Sequence, residues 1–416
     1  FWYNGCMRAI VTILTFASAL LSLVALFRPS DTTRALFSWL PKLLAGALSP
    51  LLALTSALGV LSGLKRRDPE LVATGLVAAG LAGRYLTAVA RAKGDFAAAF
   101  GPNWQERVPD DLQQRLAARR ISLFSRRPEP TIFQFDVPYG QNPETGDDLL
   151  ADLWQPAAAT PRSGLGLIYV HGGGWRIGDK DQGTRPLFRR LAGQGHVVLD
   201  VSYTLWPGAT IAEMVSEVKQ AVLWMKDRGP DYGVDPERVV LMGGSAGGHL
   251  SLLAAYTAGH PGFPPPAEGA DPSVRGVVAF YPPVDFQALY NALSSVRFAS
   301  GRVEEAAEGL LDRIFNLHSG DLDFELHSRD LFPTILGGAP DEVPEAYELL
   351  SPASHVGPHC PPTLLLQGSD DIFRLEPSVR RLHTSLLEAG VPSVLVDVPH
   401  TDHAFDLVLP RLSPAA

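Results

Sequence analysis

Arg238-Val-Val-Leu-Met-Gly-Gly-Ser-Ala-Gly-Gly248 is the stretch on which the fold turns. A β-rich run, Arg238–Met242, leads into Gly-x-Ser-x-Gly, and a helix-compatible run, Ala246–Ala258, follows. That context is what a nucleophile elbow requires: a serine at the apex of a strained turn between strand and helix. Small flanking residues let the chain pass close to itself, and the hydroxyl projects outward above a helix N-terminus. The bland alternative is a glycine loop for phosphate. No Lys-Ser/Thr pair follows, and Ser245 occupies the third position of what would be a Gly-x-Gly-x-x-Gly fingerprint, so neither nucleotide motif is present. Ser245 is the expected nucleophile.

Upstream, Leu165–Val170 runs into His171-Gly-Gly-Gly-Trp175. Acyl transfer builds negative charge on a carbonyl oxygen, and fixed backbone N–H groups stabilise it. A His-Gly-Gly-Gly loop after a strand is one form of this device, with Gly173 and Gly174 as donors beside Ala246, the residue after the nucleophile. His171 is expected to hold the loop rather than act as base. Trp175, and Trp206 further on, are candidates to line an apolar pocket, with simple packing the alternative.

Downstream, the required order is serine, acid, histidine. Nine histidines follow Ser245, and two of them, His400 and His403, follow the last candidate strand in Pro399-His-Thr-Asp-His-Ala-Phe405. His403 is the expected base, with His400 the alternative, and His403-Ala-Phe is expected to open a final helix. The acid should follow the preceding strand, where Thr363–Gln367 leads to Gly368-Ser-Asp-Asp371. Asp371 is expected, with Asp370 the alternative; Asp402 is too near His403 in sequence to be the obvious orienter.

Eight β-rich runs are readable: Thr131–Val137, Leu149–Gln155, Leu165–Val170, Val197–Tyr203, Arg238–Met242, Gly276–Tyr281, Thr363–Gln367 and Val394–Val398. Helical spacing marks Ile211–Asp227, Ala246–Ala258 and Pro377–Ala389. The first two strands should pair as a hairpin across Gly140–Gly146. The remainder alternates β and α, which predicts a mostly parallel sheet with helices on both faces. Residues 285–350 interrupt the alternation and are expected to form a cap. The catalytic domain is therefore residues 131–416.

The front of the chain differs. Ala9–Phe27 and Leu43–Leu64 are uncharged runs of 19 and 22 residues, the second interrupted by Pro50. Each is long enough to cross a hydrocarbon core as a helix. Arg8, Arg28, Lys42 and Lys65-Arg66-Arg67 flank them, with Phe37 and Trp39 at interfacial positions. A third stretch, Leu71–Ala90, carries Arg84 and either spans, lies in the interface or packs on the others. Residues 1–95 are thus expected to be a helical membrane anchor of two or three spans, and 96–130 a charged connector. The alternatives are a cleaved signal peptide beginning at Met7-Arg8, or helices buried in a soluble cap. The first hundred residues carry about +6 and the remainder about −15 of a net charge of −9. An acidic body excludes nucleic acid as a partner and a basic front suits a membrane surface. Two cysteines, Cys6 and Cys360, make no disulfide framework.

The stretch from Leu165 to Tyr256, with HGGGW and GGSAGGH, resembles α/β-hydrolase-fold esterases of the hormone-sensitive-lipase and feruloyl-esterase-like groups, and especially the membrane-bound isoprenylcysteine methylesterase type. The GSDD and HAF segments resemble their acid and base segments, so the likeness covers about residues 130–410. It implies a serine hydrolase acting on a carboxylic ester, without metal or organic cofactor, through Ser245, Asp371 and His403 with Gly173, Gly174 and Ala246 at the oxyanion. One departure is Tyr203-Thr-Leu-Trp-Pro207, where many hormone-sensitive-lipase relatives read Tyr-Arg-Leu-Ala-Pro. A lipid-like ester and a membrane are the expected partners. The rival activities are an amidase, formamidase or peptidase of the same fold, and a tethered binding module on an inactive scaffold.

Overall fold

A computed structural model describes residues 2–30, 32–115, 130–294, 331–410 and 413–414. Its centre is an eight-stranded sheet: β1 (Thr131–Gln141), β2 (Asp148–Pro156), β3 (Gly164–Val170), β4 (Val197–Val201), β5 (Val234–Gly244), β6 (Gly276–Phe280), β7 (Thr363–Gly368) and β8 (Ser393–Val398), in the order β1-β2-β4-β3-β5-β6-β7-β8. All eight expected strands are present. The β1–β2 hairpin and the β2–β4 pair are antiparallel, and every other pair is parallel. This is the α/β-hydrolase fold. Every residue of β4 and the last five of β3 are buried, as central parallel strands covered on both faces must be.

Thirteen helices are described. The N-terminal part contains α1 (Trp2–Leu26), α2 (Thr32–Ala47), α3 (Ser49–Arg66) and α4 (Pro69–Arg91), followed by the short α5 (Phe96–Phe100) and α6 (Asp110–Arg115). Around the sheet lie α7 (Arg185–Gly193), α8 (Ile211–Arg228), α9 (Ala246–Tyr256), α10 (Phe286–Ser294), α11 (Leu331–Leu336), α12 (Pro344–Leu349) and α13 (Glu376–Glu388). Helix α8 shows the link from sequence to packing. Thr210 and Glu213 close a capping box at its start, and Met214, Val215, Val218, Val222 and Met225 bury one face. The middle of the expected cap, residues 295–330, and residues 116–129 of the connector lie outside the described residues.

The front of the chain differs from its sequence reading in one respect. Leu43–Leu64 is not a straight helix: the chain bends by 67° between α2 and α3. Pro50 sits in the first turn of α3, where its missing N–H costs nothing, and its ring prevents α2 from running on. Two segments, Met7–Leu26 and Pro69–Phe100, are long and apolar enough to cross a membrane, and the bent pair could make a third. Helices α1 and α3 are joined by a hydrogen bond between the Ser18 and Thr55 hydroxyls, 2.6 Å apart. A second correction concerns the other end. His403-Ala-Phe does not open a helix; residues 403–407 form turns. Instead Val89, Ala92 and Phe96 from the N-terminal part pack in one cluster with Val394, Val396 and Val398 of β8.

Candidate active site

The turn from β5 to α9 places Ser245 at φ 54°, ψ −123°, between Gly244, the last residue of the strand, and Ala246, the first of the helix. This is the strained geometry expected of the elbow. A Cβ on Gly247 would stand 2.0 Å from the Val170 carbonyl oxygen, so only glycine lets α9 begin this close to β3. The Ser245 amide is tied to the Phe280 carbonyl at 2.9 Å, which anchors the turn to β6.

Ser245 Oγ lies 2.8 Å from Nε2 of His403, and Nδ1 of the same ring lies 3.0 Å from Oδ2 of Asp371. A carboxylate only accepts, so Nδ1–H donates to it, and Nε2 is left as acceptor for the serine hydroxyl. The imidazole is held edge-on by Phe373 and against Tyr281, at 4.7 and 4.5 Å between ring centres. Asp371 is fixed in turn, accepting from the Phe373 amide at 2.8 Å and from Gln367 Nε2 at 2.9 Å. The structure therefore brings together Ser245, His403 and Asp371. The alternatives go elsewhere. Asp370 turns away to an ion pair with Lys42. The amide of His400 is held by Ser369 Oγ, and His400 lines a small cleft with Lys42 and Tyr85.

The glycine loop is built as a tight turn. The Gly173 carbonyl accepts from the amides of Arg176 and Ile177, with Gly173 at φ 120° and Gly174 at φ 59°. A Cβ on Gly173 would fall 1.9 Å from the Ile177 carbonyl oxygen. On its other side the loop touches the elbow, because a Cβ on Gly172 would lie 3.3 Å from Ser245 Cβ. Ala246 is the first residue of α9, and its N–H has no acceptor within the helix. His171 does hold the loop. Its Nδ1 donates to the Gly172 carbonyl at 2.7 Å, and its ring stacks on Tyr203 at 4.4 Å. Burial drops its pKa to about 4, so the ring stays neutral.

Trp175 is 2% exposed. Its indole N–H donates to His249 Nδ1, and its ring meets Phe286 of α10 and Phe332 of α11 edge-on, so this side chain packs in the core. Trp206 is half-buried under the Arg176 guanidinium, and its amide donates to the Trp175 carbonyl. Thr204 offers its backbone amide to the Glu217 carboxylate at 2.6 Å, and its hydroxyl accepts from Asn142 Nδ2 at 2.9 Å.

Two supporting residues had no motif to announce them. Gln367 is the last residue of a plain β run, yet its amide reaches Asp371. Asp402, passed over in sequence, accepts at one oxygen from the amides of both Ile372 and His403, at 2.7 and 2.8 Å, and so joins the Asp371 loop to the His403 loop. Burial, and then the charge of Asp371, push its pKa up to about 7. Among the described residues, no group of histidines, cysteines and carboxylates is arranged to hold a metal ion.

The chain is similar to several known proteins. The family model BD-FAE matches residues 151–386. Esterase LipQ of Mycobacterium tuberculosis is 30% identical over 318 residues, which cover 74% of this chain and 68% of LipQ. A probable isoprenylcysteine alpha-carbonyl methylesterase of Oryza sativa subsp. japonica is 35% identical over 162 residues, 38% of this chain and 35% of that protein. Among solved structures, the butyrate-bound Est2 esterase of Thermogutta terrifontis is 22% identical, with a TM-score of 0.48 over 67% of this chain and 90% of that one.

Proposed function

The chain belongs to the BD-FAE family of α/β-hydrolase-fold esterases, and on that premise we propose that it is a membrane-associated carboxylic ester hydrolase working through an acyl intermediate on Ser245. The observation that carries the reading is the continuous relay from Ser245 Oγ through His403 to Asp371.

Ser245 Oγ attacks the ester carbonyl as His403 Nε2 takes its proton. The imidazolium that forms is balanced by Asp371. The new oxyanion is received by the N–H groups of Gly173, Gly174 and Ala246. As the intermediate collapses, the C–O bond to the alcohol breaks and His403 returns the proton to the leaving oxygen. Water then repeats the sequence on the acyl-serine, using the same base, and releases the acid.

Residues 1–95 are the anchor and 131–416 the catalytic domain in this reading. Ile13, Phe16 and Leu20 on α1, and Leu54, Leu58 and Leu61 on α3, are exposed apolar side chains, which favours contact with lipid. The substrate class that fits is an ester that partitions into the bilayer. The test is labelling by a fluorophosphonate, with hydrolysis of p-nitrophenyl esters of graded chain length, by the detergent-solubilised protein. Ser245→Ala is expected to lose both while keeping its thermal midpoint. Undiminished labelling in that variant removes Ser245 from the mechanism.

A further inference from the structure

The loops that carry the acid and the base are tied to each other. Asp370 donates its amide to the Thr401 carbonyl, Ser369 to that of Val398, and Ser369 Oγ accepts from the His400 amide. With Asp402 bridging Ile372 and His403, the two loops behave as one unit. From outside, the unit is held mainly by α2, with the exposed Arg28 just before it a further, longer partner of Asp370 at 3.7 Å. The Trp39 indole N–H donates to the backbone carbonyl of His403 at 3.0 Å. One turn further on, Lys42 Nζ lies 2.5 Å from Oδ2 of Asp370, the residue next to Asp371, with side-chain exposures of 1% and 7%.

A buried ammonium is tolerated only against a partner, so Lys42 and Asp370 fix each other's place. Trp39, Leu43, Ala45 and Tyr85 share one apolar cluster with Phe405 and β8. The second half of α2 is therefore docked on this part of the chain, not merely tethered at one bond. Resting on the reading of Ser245, His403 and Asp371 as the catalytic relay, we propose that Trp39 and Lys42 are positioning residues for it. Trp39 holds the base loop, Lys42 holds the acid loop, and the N-terminal helices are part of the catalytic apparatus rather than an anchor alone.

The experiment uses the full chain in detergent and a short-chain p-nitrophenyl ester. Trp39→Phe keeps the ring and removes the N–H. Lys42→Met paired with Asp370→Asn removes the tether without leaving a lone buried charge. Misplacement on the ångström scale costs up to about a hundredfold in rate. Each variant is expected to lose about tenfold in kcat, with KM within about twofold and the thermal midpoint near that of the unmodified chain. A purely structural ion pair would instead return kcat to normal in the Lys42→Met/Asp370→Asn double variant. Unchanged kcat in both variants overturns the proposal. Ser245→Ala, run alongside, separates the two ideas: if it is inactive while the α2 variants are fully active, the relay stands and only the positioning role falls.

Discussion

Replacing Gly173 by alanine adds one methyl group, and the structure specifies what it meets. The new Cβ would stand 1.9 Å from the Ile177 carbonyl oxygen, about an ångström inside the 3.0 Å below which real contacts are essentially not found. The oxygen belongs to the backbone of the same turn, so no flexible side chain can swing aside. The backbone itself, at φ 120°, is one that side-chain-bearing residues rarely adopt, which adds about 1–3 kcal/mol of strain. Relief requires Gly173 or residues 176–177 to move by about an ångström, carrying the proposed oxyanion donors with them. Loss of one such donor costs about 10²–10³ in rate. Gly173→Ala is therefore expected to lower kcat on p-nitrophenyl butyrate by about 10²–10³, with a small change in KM, because the donors act on the transition state more than on the bound ester. Fluorophosphonate labelling should slow in parallel, and the thermal midpoint should fall by a few degrees. A Gly173→Ala enzyme with kcat within about threefold of normal would refute the reasoning, since it would mean that the loop is not where the oxyanion is held.

Two further predictions concern pH. His249 accepts from the Trp175 indole at Nδ1 and donates from Nε2 to the Leu350 carbonyl, so a second proton would face a donor. Burial lowers the pKa of His249, like that of His171, to about 4. Below about 6.5 the unfolded chain takes up protons that the folded chain refuses, so this stability is intact above that pH and drains away as pH falls towards 4. At pH 5 each histidine should cost about 2 kcal/mol, read as a falling thermal midpoint; His249→Gln should make that fall shallower, and an unchanged slope would reject the assignment. Asp402 has the opposite sign. With its pKa raised to about 7, the folded chain holds a proton that the unfolded one has lost, so this contribution is present at low pH and lost as pH rises from about 4 through 7. Asp402→Asn keeps the oxygen that accepts from Ile372 and His403, and replaces one that has no partner among the described residues. Its stability relative to the unmodified chain should rise between pH 5 and 8, and a constant difference would count against a shifted Asp402.

What the sequence determined by itself was the part of the fold written in local pattern. Eight β runs, three helices, the elbow at Ser245 and the glycine loop at Gly172–Gly174 are each set by residues adjacent in the chain, because strand and helix periods and glycine backbone freedom are local properties. Even the structural role of His171 was legible, since its place at the mouth of the glycine loop leaves its ring beside that loop. What only the tertiary structure decided were choices between neighbours and contacts between distant segments. Asp370 and Asp371 are chemically the same residue, one peptide bond apart. Asp371 meets His403, and Asp370 meets Lys42, 328 positions earlier. His403-Ala-Phe read as a helix start, but residues 403–407 form turns, and Phe405 shares its cluster on β8 with Val89, Ala92 and Phe96, contacts from the far end of the chain. An apolar run such as Leu43–Leu64 has the same composition whether it faces lipid or another part of its own chain. Pro50 marks where the run bends, but the docking of Trp39 and Lys42 on the loops that carry His403 and Asp370 depends on residues more than 300 positions away, and no local pattern in the sequence records that.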